Sequence, residues 1–327
     1  MNITRAGIGS YAIGGANWQY GWGDQDDNDS IAAIRHAIES GLNWIDTAAA
    51  YGLGHSERLV AHALRDFPQA DRPYVFTKCG LEWDDNNHLA PIRQIGAPAK
   101  LRAGLEASLR RLEVEQIDLL QMHWPPGSDQ TPIEIYWQAL LDMKKEGKIR
   151  AVGLSNHNIA QLEAAERLGH VDTLQPPFSA IHREVAAAEL SWCAKHETGV
   201  IVYSPMQAGL LTGAFTEARR AALPANDWRT QSPDFAGEAL RRNLALADAL
   251  KPIADRRGVT QGAVAAAWTL AWPGGTGAII GARRPAQVDG WISVATLELT
   301  PADLREIADA IAATGAGFGP STPALEV

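Results

Sequence analysis

Short apolar runs recur along the chain, at 7–13, 42–46, 74–78, 117–123, 151–155, 173–176, 200–204 and 277–281. Most are continuous rather than alternating, as expected of strands covered on both faces. Between them apolar residues return every three to four positions, the period of an amphipathic helix. Helices are predicted at 29–40, 55–66, 99–111, 132–146, 158–168 and 184–196. The first opens on an Asp/Ser cap and stops before Gly41. Repeated strand–helix alternation favours an α/β fold of one kind, the (β/α)₈ TIM barrel, over an open sheet. Residues 1–327 then form a single domain. Three segments are long for this architecture: 79–98 after strand three, 207–235 after strand seven, and a Gly/Pro/Ala-rich tail at 313–327. Long connections in compact domains are usually functional, and these are expected over the catalytic face. Active sites of such barrels lie at the C-terminal strand ends.

Four side chains with useful chemistry fall at or just after those ends. Asp46 and Tyr51 lie in GLNWIDTAAAYGLGHSE (41–57), Lys78 closes YVFTK (74–78) and His123 closes IDLLQMH (117–123). Singly, some have plainer readings. Asp46 could cap a helix, Tyr51 could be a packed aromatic, and His123 could bind a metal. No second His, Cys or acidic residue stands in metal spacing with His123, and Lys78 would repel a cation. Lys78 itself needs a partner, because a buried ammonium is costly. Taken together, the four make a proton-delivery device. A tyrosine has an ordinary pKa of about 10, and an adjacent ammonium can lower it by roughly 1–3 pH units. A carboxylate beside the ammonium keeps it charged and in place. A neutral imidazole can donate to a carbonyl oxygen. The set suits protonation of the alkoxide formed when a hydride reaches an aldehyde or ketone.

At these residues the chain resembles the aldo-keto reductase superfamily. The 41–57 segment is similar to the family's signature around its catalytic Asp and Tyr, and Lys78 and the MHWP histidine match the rest of its tetrad. The likeness runs from about residue 5 to about residue 300 and includes GKIRAVGLSNH (147–157), TLQPPFS (173–179), VYSPMQAGLLTG (202–213) and IIGARRPAQV (279–288). It is nearest to a bacterial branch of general or sugar-type reductases. The resemblance implies a (β/α)₈ barrel, NADPH/NADP⁺ as cofactor, and metal-free, reversible reduction of a small carbonyl compound. It also implies a hairpin plugging the barrel bottom, which looks short or absent here because strand one begins almost at once.

The resemblance gives further residues a role. Ser155, Asn156 and Gln175 would hold the nicotinamide carboxamide, although Ser155 and Asn156 could equally cap the next helix. Tyr203 would stack on the nicotinamide ring, or sit in the core. Ser204, Met206 and Ala208 fall where the loop meets the pyrophosphate through backbone N–H groups. Beyond Gly281, the guanidinium groups of Arg283 and Arg284 would clamp the adenosine 2′-phosphate, and Gln287 would touch the adenosine end. The alternative is an arginine pair on a solvated face. Many family members place an acidic residue and Asn on the next helix; Gly290 and Trp291 stand there in this chain. Trp22, Trp83 and Trp124 follow strands one, three and four and suggest an aromatic-walled substrate pocket. Asp84 and Asp85 at its mouth would disfavour anionic substrates.

Composition narrows the partners. The net charge of −9 argues against nucleic acid or an anionic membrane, so a cofactor phosphate needs a local basic cluster. Cys79 and Cys193 match no metal spacing and imply no disulfide, which fits a reducing cytoplasm. MNITRAGIGS lacks the apolar core of a signal peptide, and 263–272 is too short to span a bilayer. The sequence does not identify the oligomeric state, with a monomer favoured. Two rivals remain: an NADPH-binding regulatory subunit with slow turnover, and a metal-dependent barrel hydrolase. The absence of a His/Asp ligand cluster disfavours the second.

Overall fold

Eight parallel strands close into a barrel in chain order: β1 (Ala6–Gly9), β2 (Trp44–Asp46), β3 (Tyr74–Cys79), β4 (Ile117–Met122), β5 (Ile149–Ser155), β6 (Thr173–Gln175), β7 (Gly199–Val202) and β8 (Gly275–Gly281). Each pairs with its sequence neighbours, and β8 closes onto β1. The architecture is that of a computed structural model describing residues 1–224 and 227–323. The segment expected to form a tail therefore lies outside the described residues from position 324 onward.

Alternation along the strands sorts the barrel interior into two levels. The lower level is apolar: Trp44, Phe76, Leu119, Ala151, Ile201 and Ile279 bury one another. Trp44 stacks on Phe76 with ring centroids 5.3 Å apart, and its indole N–H donates to the Thr4 carbonyl at 2.7 Å. A Cβ at Gly7 would lie 2.2 Å from the Trp44 ring, so that glycine makes room for the tryptophan. Two residues further along the same strands the interior turns polar, with Asp46 after Trp44, Lys78 after Phe76 and Gln121 after Leu119. The floor and the polar level are thus one periodic pattern. Trp44→Ala should cost about 3–5 kcal/mol, since it leaves a large cavity in that floor. A denaturant titration showing less than about 1 kcal/mol lost would mean that the floor repacks.

The strands match the expected runs, with revised ends. Residues 11–13 form a 3₁₀ turn (Tyr11–Ile13) rather than strand. The strand stops because the Ser10 N–H already donates to the Asp46 carbonyl at 2.9 Å and the chain crosses the mouth of β2. Strand six ends at Gln175, ahead of Pro176, which has no N–H to give. Strand seven ends at Val202, before Ser204 turns left-handed at φ 57°.

The helices hold in place. Helix Asp27–Glu39 begins two residues early because Asp26 caps it, accepting from the Asn28 and Asp29 N–H groups. The segment 184–196 divides at Ala188 (φ −146°, ψ −48°) into Glu184–Ala187 and Glu189–Lys195. The long segment after β3 contains a small antiparallel pair, Leu81–Glu82 with Arg93–Gln94. Helices Gly237–Ala249, Lys251–Arg257, Gln261–Thr269 and Pro301–Thr314 complete the outer layer. Beyond the last of these, Arg183 donates to the Ala316 and Gly319 carbonyls (3.1 and 3.2 Å), docking the chain against the segment that follows β6. Among the described residues no helix is long and apolar enough to cross a membrane.

Candidate active site

Lys78 is the centre of the polar level. Its ammonium donates to Asp46 Oδ1 at 2.5 Å, to the Thr47 carbonyl at 2.9 Å and to the Tyr51 hydroxyl at 3.3 Å. The Lys78 and Asp46 side chains are 1% and 3% exposed, so the pair is closed off from water. Asp46 Oδ2 accepts from Gln175 Nε2 at 2.9 Å. The parallel register explains the meeting: Asp46 lies opposite Phe76 on β3, two residues below Lys78 on the same face.

Tyr51 is set by the turn between β2 and helix His55–Leu64. Gly52 there has φ 57°, and a Cβ on it would stand 2.1 Å from the Gly14 carbonyl oxygen. Two glycine backbones touching in this way press the tyrosine loop onto the turn after β1. The Tyr51 ring meets Tyr11 edge-on at 5.0 Å and His123 at 5.7 Å. Trp18 lies 6.4 Å away. The four residues read from the sequence are thus together, and Tyr11 and Trp18 join them unforeseen. An aromatic pair in the loop after strand one was the available signal, but its reach depended on residues 11–13 turning rather than extending.

The electrostatics differ from expectation in one respect. Lys78 does not leave Tyr51 an easy acid. Burial, and then the Asp46 carboxylate, push the Tyr51 phenol well above its ordinary value. Asp46 sits against the ammonium, so the lysine's field at the phenol is offset while the desolvation remains. Burial raises Asp46 and lowers Lys78, and their mutual attraction opposes both shifts. His123 is held well below its ordinary value by burial and then by Lys78, which keeps its imidazole neutral. Behind the site a buried Glu57 accepts from Thr77 Oγ1 (2.7 Å) and Arg111 Nε (2.6 Å), bracing β3 next to Lys78.

Ser155, Asn156, Gln175 and Tyr203 also converge. Ser155 Oγ donates to the Gln175 carbonyl (2.8 Å), Asn156 Nδ2 to the His123 carbonyl (3.0 Å), and the Tyr203 hydroxyl to Asn156 Oδ1 (2.8 Å). Asn156 is left-handed at φ 63°. His157, unforeseen, bonds the Ser155 carbonyl (2.7 Å) and the Tyr136 hydroxyl (2.8 Å) from behind. Gln175 has one of its amide N–H donors engaged by Asp46, so only the other and its Oε1 remain for any further group. After β7, Ser204, Gln207, Ala208 and Gly209 have positive φ (57°, 44°, 49°, 99°), while Met206 between them has φ −100°. Backbone of this kind curls N–H groups into an anion-binding concavity.

At β8, Gly281 pairs with Gly9 at the rim, and the two arginines part company. Arg283 turns back to the loop after β1, donating to Gln25 Oε1 and to the Asp24 and Trp22 carbonyls. Its backbone N–H donates to Gln287 Oε1 at 2.7 Å. Arg284 is exposed and pairs with Asp29 at 3.3 Å. Trp291 is 3% exposed, a core residue rather than a ligand-facing one.

The three tryptophans have different surroundings. Trp22 meets Tyr11 edge-on at 6.0 Å and so adjoins the Tyr51 cluster. Arg229 stands 5.0 Å over its ring, and Trp228 packs beside it at 6.1 Å. Trp83 instead donates to Asp85 Oδ1 (2.9 Å) and lines a separate cleft of about 500 Å³ with Glu82, Asp84 and Arg93. The small antiparallel pair carries it there. Trp124 follows His123 but is 39% exposed. Among the described residues no cluster of His, Cys, Asp or Glu could hold a metal, and Cys79 and Cys193 are free and buried.

A closed parallel barrel with an ammonium–carboxylate–phenol set buried at its C-terminal end is the framework of a barrel oxidoreductase. The chain belongs to the aldo/keto reductase family, whose sequence profile matches residues 11–312. It is 32% identical to the aldo-keto reductase YhdN of Bacillus subtilis over 308 residues, covering 94% of this chain and 89% of that one. It is also 32% identical to the NADH-specific methylglyoxal reductase of Escherichia coli, covering 95% and 96%. The solved glycerol dehydrogenase of Gluconobacter oxydans superposes with a TM-score of 0.87 at 35% identity, over 99% of this chain and 96% of its own. Enzymes of this family act on small carbonyl compounds with nicotinamide cofactors.

Proposed function

We propose that this chain reduces a small, short-chain aldehyde, ketone or sugar reversibly, with Tyr51 as general acid and NADPH as the preferred cofactor. The observation that carries the reading is the direction of one hydrogen bond. Lys78 N–H donates to the Tyr51 oxygen, so the phenol's own proton is free to point away, toward a carbonyl. The phenol is neutral at working pH and holds the proton the product alkoxide needs. His123, also neutral, donates to the same carbonyl oxygen and orients it. In the oxidative direction Tyr51 takes the proton back.

The residues present fit a dinucleotide. The positive-φ backbone at Ser204 and Gln207–Gly209 shapes a concavity suited to a pyrophosphate, and Ser155, Asn156 and Gln175 line a place for a carboxamide. The hydrogen bonds of Arg283 go to neutral oxygens, which leaves its charge available to a phosphate. When bound, the cofactor supplies the hydride. Methylglyoxal and glycerol, named for two relatives, make three-carbon oxygenated compounds the first substrates to test. We further read residues 1–327 as one domain, working as a monomer in the cytoplasm. A panel of aldehydes, ketones, aldoses and polyols, followed by cofactor absorbance, tests the activity. Failure to turn over any of them while binding NADPH tightly would favour a regulatory role.

Replacing Arg283 and Arg284 together with alanine should weaken NADPH by about 10–150-fold and NADH far less, since a hydrogen bond to a charged group is worth roughly 1.5–3 kcal/mol. The rate at saturating cofactor should hardly change. Wild-type dissociation constants that are equal for the two cofactors, or that fall together in the variant, would show the arginines to be surface residues only.

A further inference from the structure

Arg283 and Gln25 clasp each other across the barrel rim. Arg283 Nε donates to Gln25 Oε1, and Gln25 Nε2 donates back to the Arg283 carbonyl at 2.9 Å. The guanidinium also donates to the Asp24 carbonyl and, at 3.5 Å, to the Trp22 carbonyl. Gln25 is anchored on its own side, its Nε2 reaching Ser30 Oγ at 2.9 Å and the Asp26 carbonyl at 3.1 Å. The arginine therefore sits in a preformed cradle of neutral oxygens built by residues 22–25. Burial, then the like charges of Arg284 and Arg229, hold its guanidinium below its ordinary range. No carboxylate oxygen lies within hydrogen-bond distance of it among the described residues.

We propose that Gln25 is a specificity-determining residue for the nicotinamide cofactor: it competes with the adenosine 2′-phosphate for Arg283. The inference rests on the seat proposed above for that phosphate. A guanidinium has a fixed fork of donors. Those aimed at Gln25 and the loop carbonyls must be redirected, or shared, before the fork can face a phosphate. NADPH then gains a charge-assisted contact and loses the clasp, whereas NADH leaves the clasp untouched. The side chain at position 25 sets how much of the phosphate's binding energy appears as preference. The same loop carries Trp22, which touches Tyr11 beside Tyr51. The clasp therefore links the adenosine end to the aromatic wall of the catalytic tyrosine.

Two variants at this position should move in opposite directions. Gln25→Ala removes a neutral competitor, so NADPH should bind about 2–10-fold more tightly, the worth of an ordinary hydrogen bond, with NADH unchanged. Gln25→Glu turns the competitor into a carboxylate, and NADPH should weaken by about 10–100-fold, again with NADH unchanged. Dissociation constants for both cofactors, from quenching of tryptophan fluorescence in the full-length chain, read this out. Thermal melts check that each variant is folded. If Gln25→Ala weakens NADPH, Gln25 recognises the cofactor directly and the competition is wrong. If either variant shifts NADPH and NADH equally, the residue is structural and the proposal fails. Arg283→Ala separates the two claims. A ratio of the two affinities unchanged in that variant removes the phosphate seat and this proposal with it. A collapsed ratio in Arg283→Ala, with both Gln25 variants unaltered, overturns the role of Gln25 alone.

Discussion

Tyr51→Phe is expected to lower kcat for carbonyl reduction by about 10²–10⁴-fold, the usual worth of a positioned general acid, and to leave the NADPH dissociation constant unchanged. The ring survives the change, so its edge contacts with Tyr11 and His123 persist and the pocket keeps its shape. Only the hydroxyl is lost, and with it the acceptor of the Lys78 hydrogen bond and the proton donor proposed for the carbonyl. Retention of more than about a tenth of the wild-type kcat would assign the proton to another group. The pH profile of the wild type gives a second reading. Tyr51 is held above its ordinary pKa and His123 below its own. Both are neutral between these limits, so kcat for reduction should show no inflection from about pH 7 to about pH 9. An inflection in that window, removed by Tyr51→Phe, would show that bound ligands bring the phenol down into it.

Lys78→Met should damage both activity and stability. Its ammonium positions the Tyr51 proton, so the rate should fall by about 10²-fold or more. It also compensates Asp46, and removing one member of a buried ion pair costs about 3–5 kcal/mol, because the partner is left charged and dry. The two effects separate in the double variant Asp46→Asn/Lys78→Met, which removes the stranded charge. It should recover much of the lost stability in a denaturant titration and none of the lost rate. Asp46→Asn alone should be the milder lesion for catalysis, since Lys78 keeps its contacts with the Thr47 carbonyl and with Tyr51. A double variant no more stable than Lys78→Met would mean that Asp46 is already protonated when its partner leaves. An Asp46→Asn rate below that of Lys78→Met at saturating cofactor would reverse the order of the two roles.

Much of this site is legible in the sequence. Asp46, Lys78 and His123 end apolar runs, and strand ends of a parallel barrel all face one side, so residue type and position carried their meeting. Period-two alternation then aims Asp46 and Lys78 into the interior above Trp44 and Phe76. The expectation for Arg283 and Arg284 treated the pair as a unit. Adjacent residues after a strand point apart, and the structure gives them different partners. The spacing of Trp83 from a strand end does not register the small antiparallel pair beside it, Leu81–Glu82 with Arg93–Gln94. Tyr11 was hidden by reading 7–13 as strand throughout.

The sequence by itself determined the barrel, the level at which its polar residues stand, and the family, because each depends on local hydropathy and on short ordered motifs. Only the tertiary structure decided how the charges add. Whether Tyr51 is made more or less acidic depends first on its burial and then on the Asp46 carboxylate. What Arg283 is bonded to depends on Gln25, which lies 258 positions away along the chain. Hydrogen bonds act over about 3 Å and charge interactions weaken with distance and depend on burial, and such separations between distant parts of a chain exist only once it has closed.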